Sequence, residues 1–329
     1  MRVLVSGGAG YIGSVVVSQL VDAGHQVVVY DNLSKGHRES ISDQVKLVVG
    51  DVGDRAALDA VFAEHEPEAV MHFAAWIEAG ESMREPAKFF RNNTANALTL
   101  LETVLAHKVQ RFVFSSTAAL YGNPESTPIR EDDKLLPTNA YGESTLVVEQ
   151  MLSWFHRIHG LSYASLRYFN AAGATDVLGE RHNPETHLIP LILQVASGER
   201  SHISIFGDDY PTTDGTCVRD YVHVSDLASA HLLALQALCA RQEPARLIYN
   251  LGNGQGFSVK EVIECARRVT GHAIPAVIEP RRAGDPAILV ASSQKAREEL
   301  GWRPRYARLE EIVGSAWQYL QRKVSPAKS

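Results

Sequence analysis

The sequence has few cysteines and no apolar run long enough to cross a membrane. Cys217, Cys239 and Cys265 lie far apart and show no Cys-x-x-Cys spacing. An odd, scattered set is typical of reduced thiols rather than of a disulfide framework. The chain starts on an apolar segment at residues 3–5 and shows no signal-peptide pattern. We therefore expect a cytoplasmic protein.

The sequence also lacks a basic tract or stripe, and its formal net charge is −6. Proteins that bind nucleic acid or anionic membranes usually carry such a basic surface. We therefore expect neither as a partner. A small anionic ligand is compatible with this composition, because a pocket can be locally positive on a negative protein.

Short apolar runs alternate with amphipathic stretches through the first half of the chain. The pattern predicts strands at residues 2–6, 26–30, 46–49, 69–73, 111–115 and 163–167, and helices at 11–23, 56–64, 85–107 and 141–159. The strand segments are continuous in Val, Ile, Leu and Phe, which is typical of strands covered on both faces. This alternation predicts an α/β fold of the Rossmann type, with a doubly wound, mostly parallel sheet.

The rhythm changes after residue 169. Residues 170–215 are rich in Gly, Pro, His and Asp and show no regular pattern, and helical periodicity returns at 225–239, 258–269 and 309–320. A chain of 329 residues is long enough for two lobes. We predict a first domain at 1–169 and a smaller α/β lobe at 170–329, with some later segments crossing back onto the first domain.

A glycine-rich loop joins the first predicted strand to the first helix. Gly7, Gly10 and Gly13 have the spacing G-x-x-G-x-x-G. Such glycines permit a tight turn and a close approach of backbone to a pyrophosphate, which then meets the helix N-terminus. The carboxylate of Asp31 closes the second strand, where it can accept ribose hydroxyls and repel a 2′-phosphate. The loop therefore predicts a dinucleotide site that prefers NAD to NADP, with residues 50–52 at the adenine edge.

Motifs in both halves resemble a known family. The first half resembles the extended short-chain dehydrogenase/reductase family at residues 7–13, 30–34, 72–75, 115–119 and 141–142. The second half resembles the UDP-glucose 4-epimerases of that family at residues 167–170, 185–190, 207–211, 214–216, 218–224 and 281–285. The resemblance covers essentially the whole chain. It implies that the first domain binds NAD and that the second lobe binds a UDP-sugar.

The resemblance implies an isomerase that interconverts UDP-glucose and UDP-galactose. Tightly bound NAD takes a hydride from C4 of the sugar and returns it to the other face, so net redox is zero. Tyr141 matches the catalytic base, and Thr117 matches the hydroxyl residue that bonds the reacting oxygen. The matching cofactor positions are Gly7, Gly10, Tyr11, Ile12, Gly13, Asp31, Asn32, Ser34, Asp51, Val52, Phe73, Ala74, Ala75, Asn92, Thr117, Tyr141 and Phe169. The matching UDP-sugar positions are Asn170, His187, Leu188, Ser204, Phe206, Arg219, Arg282 and Asp285.

One position departs from the family. The usual base motif is Tyr-x-x-x-Lys, but Thr145 follows Tyr141 at the lysine position. A cation one helical turn away would favour the phenolate and lower the pKa of the tyrosine. The helix segment 142–155 contains no Lys or Arg, and only Arg130 and Lys134 precede it nearby. We therefore predict slow turnover or turnover shifted to high pH.

Two alternatives stay open. The missing lysine is also compatible with a non-catalytic protein that holds NAD and a UDP-sugar. Leu289 matches a position whose size limits the 2-substituent of the sugar, and its intermediate size leaves 4-epimerisation of UDP-N-acetylhexosamines open. A sugar-nucleotide dehydratase would need a pair of acid/base carboxylates beside the Ser/Thr. This chain has Ala118 and Ala119 after Thr117, so the sequence argues against a dehydratase.

No metal site is predicted, because His182 and His187 lie in a loop with Pro184 between them and lack further obvious ligands. The predicted helices 85–107 and 141–159 correspond to those that form a four-helix bundle across a dimer two-fold axis in the family. The resemblance therefore implies a homodimer.

Overall fold

The structure, a computed structural model, describes residues 1–282 and 285–324. The strands are β1 (Arg2–Ser6), β2 (Gln26–Asp31), β3 (Lys46–Val49), β4 (Ala69–His72), β5 (Arg111–Thr117), β6 (Ser162–Tyr168), β7 (Asn170–Ala172), β8 (Ile203–Phe206), β9 (Val218–His223), β10 (Arg246–Leu251), β11 (Gly256–Ser258), β12 (Ala276–Glu279) and β13 (Ile288–Leu289). The α-helices are α1 (Tyr11–Asp22), α2 (Arg55–His65), α3 (Ala79–Ser82), α4 (Pro86–Phe89), α5 (Asn96–Ala106), α6 (Ala140–His159), α7 (Leu188–Ala196), α8 (Val224–Cys239), α9 (Val259–Thr270), α10 (Gln294–Glu299) and α11 (Leu309–Val324).

Seven strands form one parallel sheet in the order β10-β6-β5-β4-β1-β2-β3. Successive side chains of a strand point to opposite faces, so Val3 and Val5 pack towards α1 and α8 while Leu4 packs towards α2, α5 and α6. Both faces are therefore buried, which explains the continuous apolar runs. The predicted Rossmann-type fold is confirmed.

The helix predicted at 85–107 is interrupted by a π-helical turn. It begins at Pro86, passes through a π-helix at Phe90–Ala95 and continues as α5. The π-turn includes Asn93, whose buried amide accepts from the Trp76 nitrogen and donates to the Trp76 carbonyl oxygen, both at 2.9 Å. Such turns occur frequently at functional sites. Here the turn fixes the loop that follows β4.

The second lobe is more regular than its sequence pattern indicated. Within residues 170–215 the chain forms β7, α7 and β8, which are too short for periodicity to reveal. Helices α7, α9 and α11 share a hydrophobic core beside a four-stranded sheet of β7, β9, β11 and β13. Residues 224–251 return to the first lobe, since α8 packs in its core and β10 pairs with β6.

Two further features concern the described part of the chain. None of its helices within residues 1–282 and 285–324 is long and apolar enough to span a membrane. Cys217, Cys239 and Cys265 are all free thiols.

A buried ion pair fixes α6 against the sheet. Asn139 caps the helix by accepting from the Gly142 nitrogen at 2.8 Å. One turn after Thr145, both carboxylate oxygens of Glu149 accept from Arg167 of β6, at 3.0 and 2.6 Å. The two side chains are 6% and 3% exposed, and Ser116 also donates to Glu149. Breaking such a pair leaves an uncompensated buried charge.

We expect Glu149→Gln to lower the free energy of unfolding by about 3–5 kcal/mol, because the Arg167 charge then stays buried without a carboxylate. Urea denaturation followed by circular dichroism measures the loss. The control is Glu311→Gln, which removes an exposed pair with Arg308 and should change stability by less than about 0.5 kcal/mol. Equal effects of the two substitutions would contradict this account.

Candidate active site

A cavity opens at the carboxyl ends of the central strands. Loops after β1, β2, β3, β4 and β5 line one side, and segments of the second lobe line the other. All the sequence-predicted cofactor positions line it: Gly7, Gly10, Tyr11, Ile12, Gly13, Asp31, Asn32, Ser34, Asp51, Val52, Phe73, Ala74, Ala75, Asn92, Thr117, Tyr141 and Phe169. Ligands of open α/β sheets bind at this edge.

The glycine loop is shaped for close approach. Gly7 has φ +74°, and a Cβ there would lie 2.4 Å from the Ala74 nitrogen. A Cβ at Gly13 would lie 2.3 Å from the Gly7 carbonyl oxygen. Gly10 is the N-cap residue of α1, which has no side-chain cap and no acidic residue in its first turn. Its N–H groups are therefore available to an anion such as a pyrophosphate.

Two carboxylates line the part of the cavity next to this loop. Asp31 is 7% exposed and accepts from the nitrogens of Ala9 at 2.9 Å and Leu33 at 2.8 Å. Burial raises the pKa of Asp31, and these two bonds oppose the rise. Asp51 accepts from the Asn32 amide at 2.8 Å. These two carboxylates offer acceptors for ribose hydroxyls and would repel a 2′-phosphate, so the residues fit NAD.

Tyr141 and Thr117 meet at the centre of the cavity. Thr117 ends β5, two residues beyond the predicted end of that strand, and Tyr141 lies in the first turn of α6. Burial raises the pKa of Tyr141, a side-chain hydrogen bond to Thr117 lowers it, and the negative charge of Glu78 raises it. The net shift is upward. The phenol is therefore positioned for proton transfer but is held mainly in its neutral form.

Thr145 provides no substitute for a lysine. Its side chain is 5% exposed, lines the cavity and donates to the Tyr141 carbonyl oxygen at 3.1 Å. The two residues considered as replacements do not reach the site: Arg130 is exposed and pairs with Asp132, and Lys134 is exposed. The lysine that does line the cavity is Lys35, which the sequence analysis did not consider.

The sugar-side predictions divide into two groups. Asn170, His187, Arg219 and Asp285 line the cavity, as does Leu289. Leu188, Ser204, Phe206 and Arg282 do not line it, and Arg282 instead lies 3.8 Å over the Phe206 ring. Ala283 and Gly284 of the 281–285 motif lie outside the described residues.

Arg219 points towards the cavity rather than to its neighbour in sequence. It pairs with Asp285 at 3.7 Å and donates to the Val218 carbonyl oxygen. Asp220 is buried and accepts from three backbone nitrogens of residues 253, 254 and 291. Burial raises the pKa of Asp220 to about 6 despite these bonds. Arg219 is therefore the member of this dipeptide available to a ligand.

A cluster of two histidines and two glutamates lies beside the cavity. Glu180 is 2.9 Å from His182 Nδ1 and 2.7 Å from His187 Nδ1, and Glu185 is 2.9 Å from His187 Nδ1. Burial lowers the pKa of His187, but the two carboxylates outweigh it and raise the value to about 10. His187 is therefore an imidazolium cation at neutral pH.

Four potential ligand atoms of this cluster lie within 4.8 Å of one another. Their contacts of 2.7–2.9 Å are hydrogen-bond distances, shorter than the ~3.3 Å between ligands of a tetrahedral zinc ion. The cluster thus fits shared protons better than a metal ion. The absence of a metal site stays a prediction.

Four residues around the cavity were not predicted from the sequence: Glu180, Glu185, Lys35 and Glu78. The spacing E-x-H-x-x-E-x-H of residues 180–187 was a usable signal for the cluster. No local pattern marks Lys35 or Glu78, because their proximity depends on how three loops pack together.

Known proteins resemble this chain over nearly its full length. Residues 3–252 match the NAD dependent epimerase/dehydratase family. A UDP-glucose 4-epimerase of Halalkalibacterium halodurans is 53% identical over 321 residues, covering 97% of this chain and 95% of the relative.

Solved structures agree with this relationship. A UDP-glucose 4-epimerase from Brucella ovis in complex with NAD has a TM-score of 0.92 at 43% identity, covering 96% of this chain and 97% of that one. One from Bifidobacterium longum in complex with NAD+ and UDP has a TM-score of 0.93 at 37% identity, covering 98% and 99%. The resemblance noted in the sequence motifs is confirmed, and this chain belongs to the NAD dependent epimerase/dehydratase family.

Proposed function

We propose that this protein is an NAD-dependent UDP-glucose 4-epimerase, which interconverts UDP-glucose and UDP-galactose. The proposal rests mainly on the position of Tyr141 and Thr117 together in a cavity that has the glycine loop on one side and two cations on the other. Two relatives that are 53% and 50% identical to this chain over 97% of its length are named UDP-glucose 4-epimerase.

NAD is the cofactor, and the first lobe supplies its site. The loop of Gly7, Gly10 and Gly13 and the start of α1 receive the pyrophosphate, and Asp31 and Asp51 accept the ribose hydroxyls. When bound, NAD supplies reversible hydride acceptance at C4 of the sugar. A site that retains its cofactor through the cycle makes the reaction redox-neutral overall.

Tyr141 acts as the acid and base. Its phenolate accepts the proton of the sugar 4-hydroxyl while Thr117 donates a hydrogen bond to the same oxygen. The proton returns from Tyr141 when the configuration at C4 has been inverted. Because the same group removes and returns the proton, no further acid is needed.

The second lobe supplies charge for the nucleotide. The His187 imidazolium and the Arg219 guanidinium can donate to a diphosphate, and Asp285 can accept from a hydroxyl. Asn170 lies at the start of β7, where an amide can bond either the sugar or its phosphate. Leu188, Ser204, Phe206 and Arg282 remain proposed contacts of the UDP-sugar.

We propose that residues 1–169 bind the cofactor and residues 170–329 bind the UDP-sugar. The glycine loop, Asp31 and Tyr141 support the first assignment, and His187 and Arg219 support the second. The free cysteines support a cytoplasmic location.

Thr145 sets the pH dependence of the rate. Because burial and Glu78 raise the pKa of Tyr141, the phenolate fraction increases with pH through and beyond neutrality. We therefore expect kcat to rise with pH rather than to level off by about pH 7. We expect Thr145→Lys to raise kcat at pH 7 about tenfold for each unit by which the added cation lowers the pKa of Tyr141.

The measurement is the pH profile of kcat with UDP-galactose, with product separated from substrate. Thr145→Met is the matched control, because it adds a long side chain without charge and should leave the profile in place. A profile of the unaltered protein that is flat above pH 7, together with no gain in Thr145→Lys, would show that another group does the work of the missing lysine.

The glycine loop predicts a difference between two positive-φ glycines. Gly7 and Gly24 have φ +74° and +80°, but only a Cβ at Gly7 meets other atoms within 4 Å. Gly7→Ala should lose bound NAD, because the loop must move away from Ala74. Gly24→Ala should keep it and pay only a backbone strain of about 1 kcal/mol.

NAD released from the denatured protein, counted per chain, measures retention. A Gly7→Ala protein that folds and keeps its full complement of NAD would refute the role given to this loop.

We propose that the protein is a homodimer. Helix α6 exposes Trp154 and Ile158, and the neighbouring segment exposes Phe90 and Leu98. Exposed apolar side chains on adjacent helices are typical of a protein interface. Two copies related by a two-fold axis would bury these residues in a four-helix bundle.

We expect Ile158→Asp to convert the dimer to a monomer, because it places a charge in the apolar contact. Light scattering after size-exclusion chromatography gives the mass. Val177→Asp is the matched control and should leave the dimer intact. Val177 is 76% exposed, against 67% for Ile158, and it lies in a loop outside α6. Monomeric mass of the unaltered protein would rule out the dimer.

Thr145 also favours a second candidate, a non-catalytic protein that binds NAD and a UDP-sugar. Binding of UDP-galactose without formation of UDP-glucose at any pH would identify it. Leu289 lines the cavity, so comparison of kcat/KM for UDP-galactose and UDP-N-acetylgalactosamine tests the sugar preference. Faster turnover of the acetylated sugar would overturn the preference for UDP-galactose.

A further inference from the structure

One lysine joins three segments of the active-site cavity. Lys35 lies in the loop after β2, and its ammonium pairs with Glu78 Oε1 at 3.0 Å. The same ammonium donates to the Asn183 carbonyl oxygen at 3.0 Å and lies 5.1 Å from the Trp76 ring centroid. The side chains of Lys35 and Glu78 are 25% and 10% exposed. The contacts are thus partly shielded from solvent.

The segment that Lys35 reaches carries His187. Two further contacts join residues 180–187 to the same loop: His37 bonds the Arg181 carbonyl oxygen at 3.1 Å, and the Arg181 guanidinium donates to Glu39 at 2.9 Å. Among these three, only the Lys35 contact also reaches the loop after β4. The position of the imidazolium that faces the nucleotide therefore depends on the loop that carries the cofactor residues.

Glu78 connects Lys35 to the base. Burial would raise the pKa of Glu78, but the bond from Lys35 outweighs it and keeps the carboxyl ionised. Residues 77 and 79, on either side of Glu78, line the cavity together with Tyr141, Thr117 of β5 and Tyr168 of β6. The negative charge of Glu78 raises the pKa of Tyr141, and the phenol of Tyr168 is neutral. Thr145 of α6 adds no charge. The negative charge near the base is thus countered mainly by Lys35.

We propose that Lys35 is a positioning residue of the epimerase, which neutralises Glu78 at the edge of the cavity that contains Tyr141 and holds the 180–187 segment where its imidazolium meets the nucleotide diphosphate. The kinetic half of this inference rests on the proposed function. The binding half does not, because UDP affinity can be measured whether or not the protein turns over.

The two roles separate in a pair of substitutions. Lys35→Met exposes the charge of Glu78, so the acid limb of the kcat profile moves to higher pH by about 0.5–1 unit. It also frees the 180–187 segment, so UDP binds the NAD-loaded protein about fivefold more weakly. Glu78→Gln moves the acid limb to lower pH and leaves UDP affinity within about twofold, because the bond to Asn183 remains.

The double variant Lys35→Met/Glu78→Gln separates the charge role from the positioning role most clearly. Its acid limb returns to that of the unaltered protein, while its UDP affinity stays as weak as in Lys35→Met. Lys35→Arg, which keeps the charge, should keep the acid limb in place. Calorimetric titration with UDP and the pH profile of kcat provide the two readouts.

Lys260→Met is the matched control. Lys260 also donates to a backbone carbonyl, that of Asp214 at 2.8 Å, but it does not line the cavity, so its loss should change neither readout. Unchanged UDP affinity in Lys35→Met would overturn the positioning role, and parallel pH shifts in the two single variants would overturn the charge role. If the unaltered protein binds UDP but has no turnover, the proposed function fails while the binding arm still tests Lys35.

Discussion

Parallel pairing of all seven strands is the constraint on which the site depends. In a parallel sheet every carboxyl end lies at the same edge, so the loops after β1, β2, β4 and β5 open into one cavity. This edge places the glycine loop beside Asp31 and brings Thr117, at the end of β5, to the phenol of α6. The Glu149–Arg167 pair then holds α6, which carries Tyr141, against β6. Strand direction therefore brings the glycine loop, Thr117 and Tyr141 to one cavity without any contribution from the second lobe.

The balance of charges around Tyr141 is a second constraint on the site. Burial and the negative charge of Glu78 raise the pKa of Tyr141, and Thr145, one turn further along α6, adds no cation, so the phenolate is disfavoured. The positive charges of the cavity lie elsewhere: the His187 imidazolium and Arg219 line it from the second lobe, and Lys35 bridges Glu78 and residues 180–187. The protein is therefore better equipped to bind a diphosphate than to ionise its base. Binding and turnover should respond differently to pH for this reason.

The fold was predictable because its signals are local. Continuous apolar strands, the spacing of Gly7, Gly10 and Gly13, and the acid closing β2 each reflect a requirement of the neighbouring backbone. The roles of Thr117 and Tyr141 were predicted from the family resemblance, because hydrophobic periodicity cannot show that two such residues lie together. The π-turn around Asn93, the Glu180–His187 cluster and the Lys35 contacts could not be predicted in this way, because each joins loops from different elements. The regular elements of residues 170–215 were missed since they are too short to show a period.

We conclude that this protein inverts C4 of a UDP-hexose with an internal, retained NAD. The most direct measurement uses UDP-galactose carrying deuterium at C4, incubated with the NAD-loaded protein at pH 9 without added cofactor. The account predicts UDP-glucose that keeps the deuterium at C4, formed over many turnovers for each bound NAD. Loss of the deuterium to water, or formation of no UDP-glucose while the sugar nucleotide still binds, would contradict it.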